Sequence, residues 1–327
     1  MKRFKNILCV MESEDSCQSA LERAMTLAEN NQASVTVATV TERLKLSGGM
    51  PGGGSVPPDL QAKVTAAQTQ WLETLVEPYR ERIEVNTLVL TGTPFLEIIR
   101  DVLRNGRDLV IKCPESPDWL GRFLAGDDMH LLRKCPCPLW LVKPETSASY
   151  QRILAAVDVD DSYPPDELKT RQALNTMVME LAGSMAVSEF AELHVVHAWQ
   201  AIGESSMRDG AFMHRPEEEV NAYVEQVRAH HARRLDELMR DVGSTLGSDA
   251  MEYLKPQLHQ LKGWARQQIP ALAKRLRVDC IVMGTVARTG VRGFFIGNTA
   301  ETILEQIDCS VLAIKPPGYE TPVALED

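Results

Sequence analysis

The strongest constraint on this 327-residue chain is that it repeats itself. Asp108-Leu109-Val110-Ile111-Lys112 returns as Asp279-Cys280-Ile281-Val282-Met283, an offset of 171 (108 to 279), and Gly92 returns as Gly263 at that same offset. Cys137-Pro138-Leu139-Trp140-Leu141-Val142-Lys143 returns as Cys309-Ser310-Val311-Leu312-Ala313-Ile314-Lys315, an offset of 172. Near the start, Ile7-Leu8-Cys9-Val10-Met11-Glu12 is echoed by Ile153-Leu154-Ala155-Ala156-Val157-Asp158. One such match would mean little. Several, in the same order at near-constant spacing, mean a duplicated domain. The polar stretch 144–150 divides the halves, giving a first domain at 1–146, a second at 150–318 and a tail at 319–327.

Each half alternates apolar runs with amphipathic segments. Strands are expected at 7–11, 34–40, 83–90, 109–112 and 139–143, then at 153–157, 192–199, 251–261, 280–283 and 311–315. Helices are expected at 17–30, 59–82, 94–105 and 127–134, then at 166–187, 216–241, 263–276 and 298–307. Continuous β-branched runs between helices imply a mainly parallel sheet covered on both faces. The fold class is therefore α/β, with two tandem Rossmann-like, doubly wound domains. The last strands, 139–143 and 311–315, would leave open sheet edges and are expected to meet across a pseudo-two-fold axis. The glycine-rich run 46–58 reads as an exposed loop.

The net charge of −10 argues against a broad electrostatic hold on nucleic acid or an anionic membrane. The apolar runs are too short to span a bilayer, and 7–11 reads as a first strand, not a signal peptide. A cytoplasmic location is the expectation. Seven cysteines include no Cys-x-x-Cys pair. His130 with Cys135 and Cys137 has the wrong spacing for a zinc knuckle, so no metal is expected. His230 and His231 read as solvated on a charged helix, and His197 as an interior histidine close to a strand end. No nucleophile elbow, zincin motif or P-loop occurs, so no enzyme activity is expected.

The most suggestive segment lies near the C-terminus. The strand ending in Gly284 runs into a basic, glycine-bearing loop (Ala287, Arg288, Gly290, Arg292, Gly293), and Gly297-Asn298-Thr299 opens a helix. Glycines let a backbone approach an anion, and a helix start supplies N–H groups. The alternative is a set of turn residues and a solvated loop. Asp158, at the end of the second half's first strand, either reaches a ligand at the carboxyl end of the sheet or caps the next helix.

These residues resemble the universal stress protein family: a duplicated domain, Met283-Gly284-Thr285 with Arg288-Thr289-Gly290, then Gly297-Asn298-Thr299-Ala300-Glu301, and Val311 to Pro316. The likeness spans essentially the whole chain and is closest to the tandem-domain E type. It implies a non-enzymatic role in stress and DNA-damage resistance, exerted by ligand binding or signalling. It also implies an intrachain pseudo-dimer, with a homodimer of such chains left open. ATP-binding members carry G-x-x-G, nine residues, then G and Ser or Thr, with an acid on the first strand that contacts the adenine end. Carried over, the nucleotide-binding set is Asp158, Gly284, Ala287, Arg288, Gly297, Asn298 and Thr299, for ATP or another adenine nucleotide. Ala287 stands at the second glycine and Asn298 at the hydroxyl residue, which weakens the implied site. In the first half, Cys113-Pro114 and Asp127-Asp128 replace the loop, so no ATP is expected there. A slow ATP hydrolase and an interaction module with a decayed site are the rival readings.

Overall fold

The computed structural model describes residues 4–12, 18–44, 59–114, 126–144, 149–209, 215–285 and 296–325. The loop 46–58, Cys17, the loop residues Glu115 to Asp118, and Ala287, Arg288, Gly290, Arg292 and Gly293 lie outside them. In the first half the strands are β1 (Asn6–Val10), β2 (Ser34–Thr41), β3 (Val85–Thr91), β4 (Leu109–Lys112) and β5 (Leu139–Leu141). They alternate with α1 (Gln18–Asn31), α2 (Leu60–Val76), α3 (Pro94–Asn105) and α4 (Asp127–Lys134). The second half has β6 (Arg152–Ala156), α5 (Pro165–Glu189), β7 (Glu192–Trp199), α6 (Glu204–Asp209), α7 (Glu217–Leu246) and α8 (Ser248–Leu254). It closes with β8 (Gln257–Lys262), α9 (Ala265–Leu276), β9 (Cys280–Gly284), α10 (Asn298–Leu304) and β10 (Ser310–Ile314).

The expected strand at 251–261 is corrected. Its first four residues belong to α8, and β8 begins only at Gln257. Pro256 marks the break, with Lys255 in the left-handed region at φ 40°. α6 and α8 are short helices that sequence periodicity did not reveal.

All ten strands form one sheet in the order β3-β2-β1-β4-β5-β10-β9-β6-β7-β8. Each half has the same internal order, and the halves join where β5 and β10 pair antiparallel, Trp140 opposite Leu312. The last strands meet as expected; every other neighbouring pair is parallel. Alternation along the strands splits the core into two layers. Ile7, Ile111, Trp140, Leu312, Val282 and Ile153 lie in one, and Leu8, Val110, Leu141, Val311, Ile281 and Leu154 in the other. Both layers cross the boundary between halves, so neither half owns a separate core.

Polar contacts reinforce this seam. Arg23 of α1 pairs with Glu189 of α5 at 2.9 Å and lies 3.4 Å from the Tyr150 ring centroid. Lys143 pairs with Asp308 at 2.6 Å. The echoed glycines have one shared cause. Gly92 (φ 149°) and Gly263 (φ 134°) follow β3 and β8, and each donates its N–H to the neighbouring strand end, Thr41 O or Trp199 O. A Cβ at either would press on the helix that follows, at Glu97 or Gln268.

Candidate functional site

The carboxyl ends of β6, β7 and β9 open into a cavity of about 1560 Å³ in the second half. Such ends are where open α/β sheets leave a crevice. Asp158, Gly284, Gly297, Asn298 and Thr299 all line it, so five of the seven expected residues converge. Ala287 and Arg288 fall outside the described residues. Trp199, Trp264 and Tyr319 add aromatic walls, and the tail residues Tyr319 and Glu320 reach this cavity.

The Asp158 end is already built up. Asn175 of α5 accepts from the Asp158 backbone N–H (3.0 Å) and donates to its carbonyl (2.7 Å), fixing the end of β6. One carboxylate oxygen of Asp158 accepts the Asp160 N–H at 3.2 Å, and the other is bound by Arg171. Arg171 also bonds Glu167 (2.8 Å) and lies 3.5 Å from the Tyr163 ring centroid. The Asp158 side chain keeps 42% of its surface open to the cavity. Burial of the surrounding region nevertheless pushes its carboxyl above the ordinary range, with Arg171 pulling the other way. Asp158 is thus held in place by the protein and is not a bare acceptor awaiting a base. Arg171, Tyr163, Glu167 and Asn175 were missed by sequence reasoning. The available signal was a polar residue, Asn175, interrupting the apolar stripe Leu174, Val178, Met179 and Ala182 on one helix face.

At the other end, Gly297 precedes α10 with an ordinary φ of −63°. Its N–H is spent on Thr285 O at 2.9 Å, and the Thr285 N–H on Ile314 O at 3.0 Å. Helix geometry leaves the N–H groups of Asn298, Thr299 and Ala300 without partners inside the helix. Gly284 has a different reason to be glycine. A Cβ there would come within 2.4 Å of Leu174 Cδ2 and 2.9 Å of its Cγ. Gly284 admits α5 onto the sheet, whatever ligand binds. Gly284→Ala is therefore expected to destabilise by about 1–3 kcal/mol through overpacking. Combining it with Leu174→Ala should cost less than the two changes summed, as read from urea midpoints. Unchanged stability in Gly284→Ala would refute this packing role.

The equivalent end of the first half carries a buried ion-pair cluster. Lys112, at the close of β4 and 1% exposed, pairs with Glu12 at 2.5 Å and with Asp128 of α4 at 2.6 Å. Burial alone would depress this ammonium, but the two carboxylates outweigh it and its pKa is raised. Glu12 occupies the repeat position of Asp158, and Asp127 and Asp128 open α4 where Asn298 and Thr299 open α10. An internal cation, Lys112, stands at the repeat position of Met283, which lines the cavity of the second half.

The histidines need a correction. His231 is not solvated: it is buried, and its Nδ1 lies 3.0 Å from His197 Nε2. His230 does sit at the surface, 2.9 Å from Asp161. His130 stacks on Phe95 at 4.4 Å. Among the described residues no helix is long and apolar enough to cross a membrane.

The universal stress protein family model matches residues 3–143 and again residues 149–315. The chain is 28% identical to universal stress protein E of Escherichia coli K12, covering 100% of this chain and 99% of that relative. It is similar in structure to a functionally unknown protein from Pseudomonas aeruginosa PAO1, with TM-score 0.68, 27% identity, and coverage of 96% and 93%. A universal stress protein from Archaeoglobus fulgidus shares the fold alone, with TM-score 0.61, 15% identity, and coverage of 96% and 98%.

Proposed function

Because the chain belongs to the universal stress protein family, we propose that it is a cytoplasmic, non-enzymatic stress-resistance protein that holds one small ligand in its second domain. The domains are drawn at 1–146 and 150–318, with the first as a structural partner. The reading rests on one observation: the second half keeps a cavity of about 1560 Å³, while the corresponding strand end of the first carries the ion-pair cluster of Lys112, Glu12 and Asp128. Binding and release of the ligand would then carry the signal.

ATP or another adenine nucleotide is the ligand class the family resemblance implies. The cavity is large enough, and α10 opens at its edge. An adenine reaching Asp158 would share a carboxylate that Arg171 already binds, and Ala287 and Asn298 depart from the family's loop pattern; both predict weak nucleotide binding. Mass spectrometry of whatever small molecule survives gentle purification identifies the physiological ligand directly. Phosphate release by the purified protein separates this reading from a slow ATP hydrolase.

Calorimetry with ATP should show no more than one site per chain. Gly297→Asp is the sharper probe. Among the described residues a Cβ there meets nothing closer than Thr285 O at 3.9 Å, and aspartate is a favourable residue before a helix. The variant should fold as well as the parent, yet lose roughly tenfold or more in nucleotide affinity through charge repulsion. Undiminished binding, or two equivalent sites, would remove the phosphate end from this loop.

A further inference from the structure

Cys135 closes α4, and the segment Cys135-Pro136-Cys137-Pro138 leads into β5. The Cys135 backbone is extended (φ −65°, ψ 127°), and the prolines restrict their own φ. Residues two apart in an extended segment project to the same side. The two sulfur atoms accordingly lie 3.6 Å apart, both buried. An extended pair of this spacing has Cα atoms about 6.6 Å apart, inside the span of roughly 4.4–6.8 Å that a disulfide bridges.

A second observation marks this pair out. Lys315, 6% exposed, follows β10 and reaches the same region across the seam between the halves. Its ammonium donates to Leu132 O and to Thr285 Oγ1 (2.6 Å), and it makes no ion pair with a carboxylate among the described residues. Tyr319 completes the wall, its ring centroid 5.3 Å from Lys315 Nζ and its hydroxyl bonded to Arg133 O. Hydrogen bonding from Cys137 holds the Cys135 thiol below its ordinary pKa against burial, and the Lys315 charge assists. Burial brings Lys315 down to about 7, with the Cys135 charge opposing. The buried Cys309 shows the contrast, pushed up to about 12 by burial.

We propose that Cys135 and Cys137 form a redox-active dithiol that hydrogen peroxide converts to an intrachain disulfide, with Lys315 as the proton donor. The Cys135 thiolate attacks one peroxide oxygen. The sulfur–oxygen bond forms, the oxygen–oxygen bond breaks, and the departing hydroxide takes a proton from the Lys315 ammonium to leave as water. The Cys137 sulfur then attacks the sulfenic sulfur. The disulfide forms, the sulfur–oxygen bond breaks, and that hydroxide leaves with the Cys137 thiol proton as a second water. Two thiols are oxidised and one peroxide is reduced.

The test uses the full chain, reduced and then exposed to hydrogen peroxide, with samples blocked by N-ethylmaleimide, unfolded, digested and mapped by mass. The expected product is a Cys135–Cys137 cross-link that dithiothreitol reverses, formed while Cys9, Cys113, Cys280 and Cys309 remain alkylatable. Cys137→Ser should stop at a sulfenic acid on Cys135 that dimedone captures. Lys315→Met should slow the first step, because the departing hydroxide loses its proton donor. A pair that stays reduced while any of the other five cysteines oxidises, or that ends as sulfinic acids without a cross-link, overturns the proposal. An unchanged rate in Lys315→Met removes the lysine from it. The unsubstituted protein gives the decisive time course should a variant fail to fold.

Discussion

Lys112→Met is expected to cost the protein about 3–5 kcal/mol, although it touches a domain in which no ligand is expected. The change leaves Glu12 and Asp128 facing each other at the end of β4 without the ammonium that binds both. Losing a cation that is almost fully buried between two carboxylates is costly, most of all beside Asp128, whose side chain is 9% exposed. Changing all three residues, Lys112→Met with Glu12→Gln and Asp128→Asn, removes the charges and should recover most of the loss. Urea unfolding at neutral pH measures both. A single variant within about 1 kcal/mol of the parent would mean that solvent reaches the cluster and screens it.

The second large effect is on pH dependence. His197 is 1% exposed. Its Nδ1 lies 3.4 Å from Val157 O, and its Nε2 lies 3.0 Å from His231 Nδ1. Two tautomers satisfy these contacts: Nδ1–H donates to Val157 O while Nε2 accepts from His231 Nδ1–H, or Nδ1 accepts from the Val159 N–H (3.5 Å) while Nε2–H donates to His231 Nδ1. In either, the ring is neutral and both nitrogens are used. Burial, then the neighbouring His231, lowers the His197 pKa to about 4. The unfolded chain takes up this proton near pH 6.5, the folded one only near 4. Stability from this group is therefore full above about pH 6.5 and falls as pH drops toward 4, by about 3 kcal/mol in total. In His197→Gln this part of the slope disappears. The stability gap between parent and variant should narrow by that amount between pH 7 and pH 4 in denaturant titrations. A gap that stays constant with pH would show that His197 is protonated in the native state.

The strands were legible because each is a short apolar run bounded by acid, glycine or proline, and the duplication checked one half against the other. The false reading at 251–261 carried a strand through Pro256, where the chain passes from α8 into β8. In the site, the residues that the chain itself delivers to strand ends, Asp158 and Gly284, were legible from position alone. Arg171 and Tyr163 were not, because their role depends on how α5 crosses the end of β6. Lys112 was hidden for a related reason. A lysine closing a strand looks solvated until Glu12 and Asp128, distant in sequence, are brought to it. His231 was hidden too: adjacent histidines on a charged helix give no sign that one turns inward to meet β7.

The pairing of β5 with β10 has a consequence for how the protein is made. β5 leaves the ribosome roughly 170 residues before β10 exists. At about 5–20 residues per second this interval is on the order of ten to thirty seconds. Throughout it the emerging first half carries an unpaired edge of Leu139, Trp140 and Leu141, three side chains that are buried in the finished protein. An apolar edge of this kind pairs with whatever strand is offered, and on a polysome the nearest candidate is the same strand of the chain ahead. The permanent seam of the mature molecule is therefore a hazard for the nascent chain, one that a chaperone would have to cover until the final strand arrives.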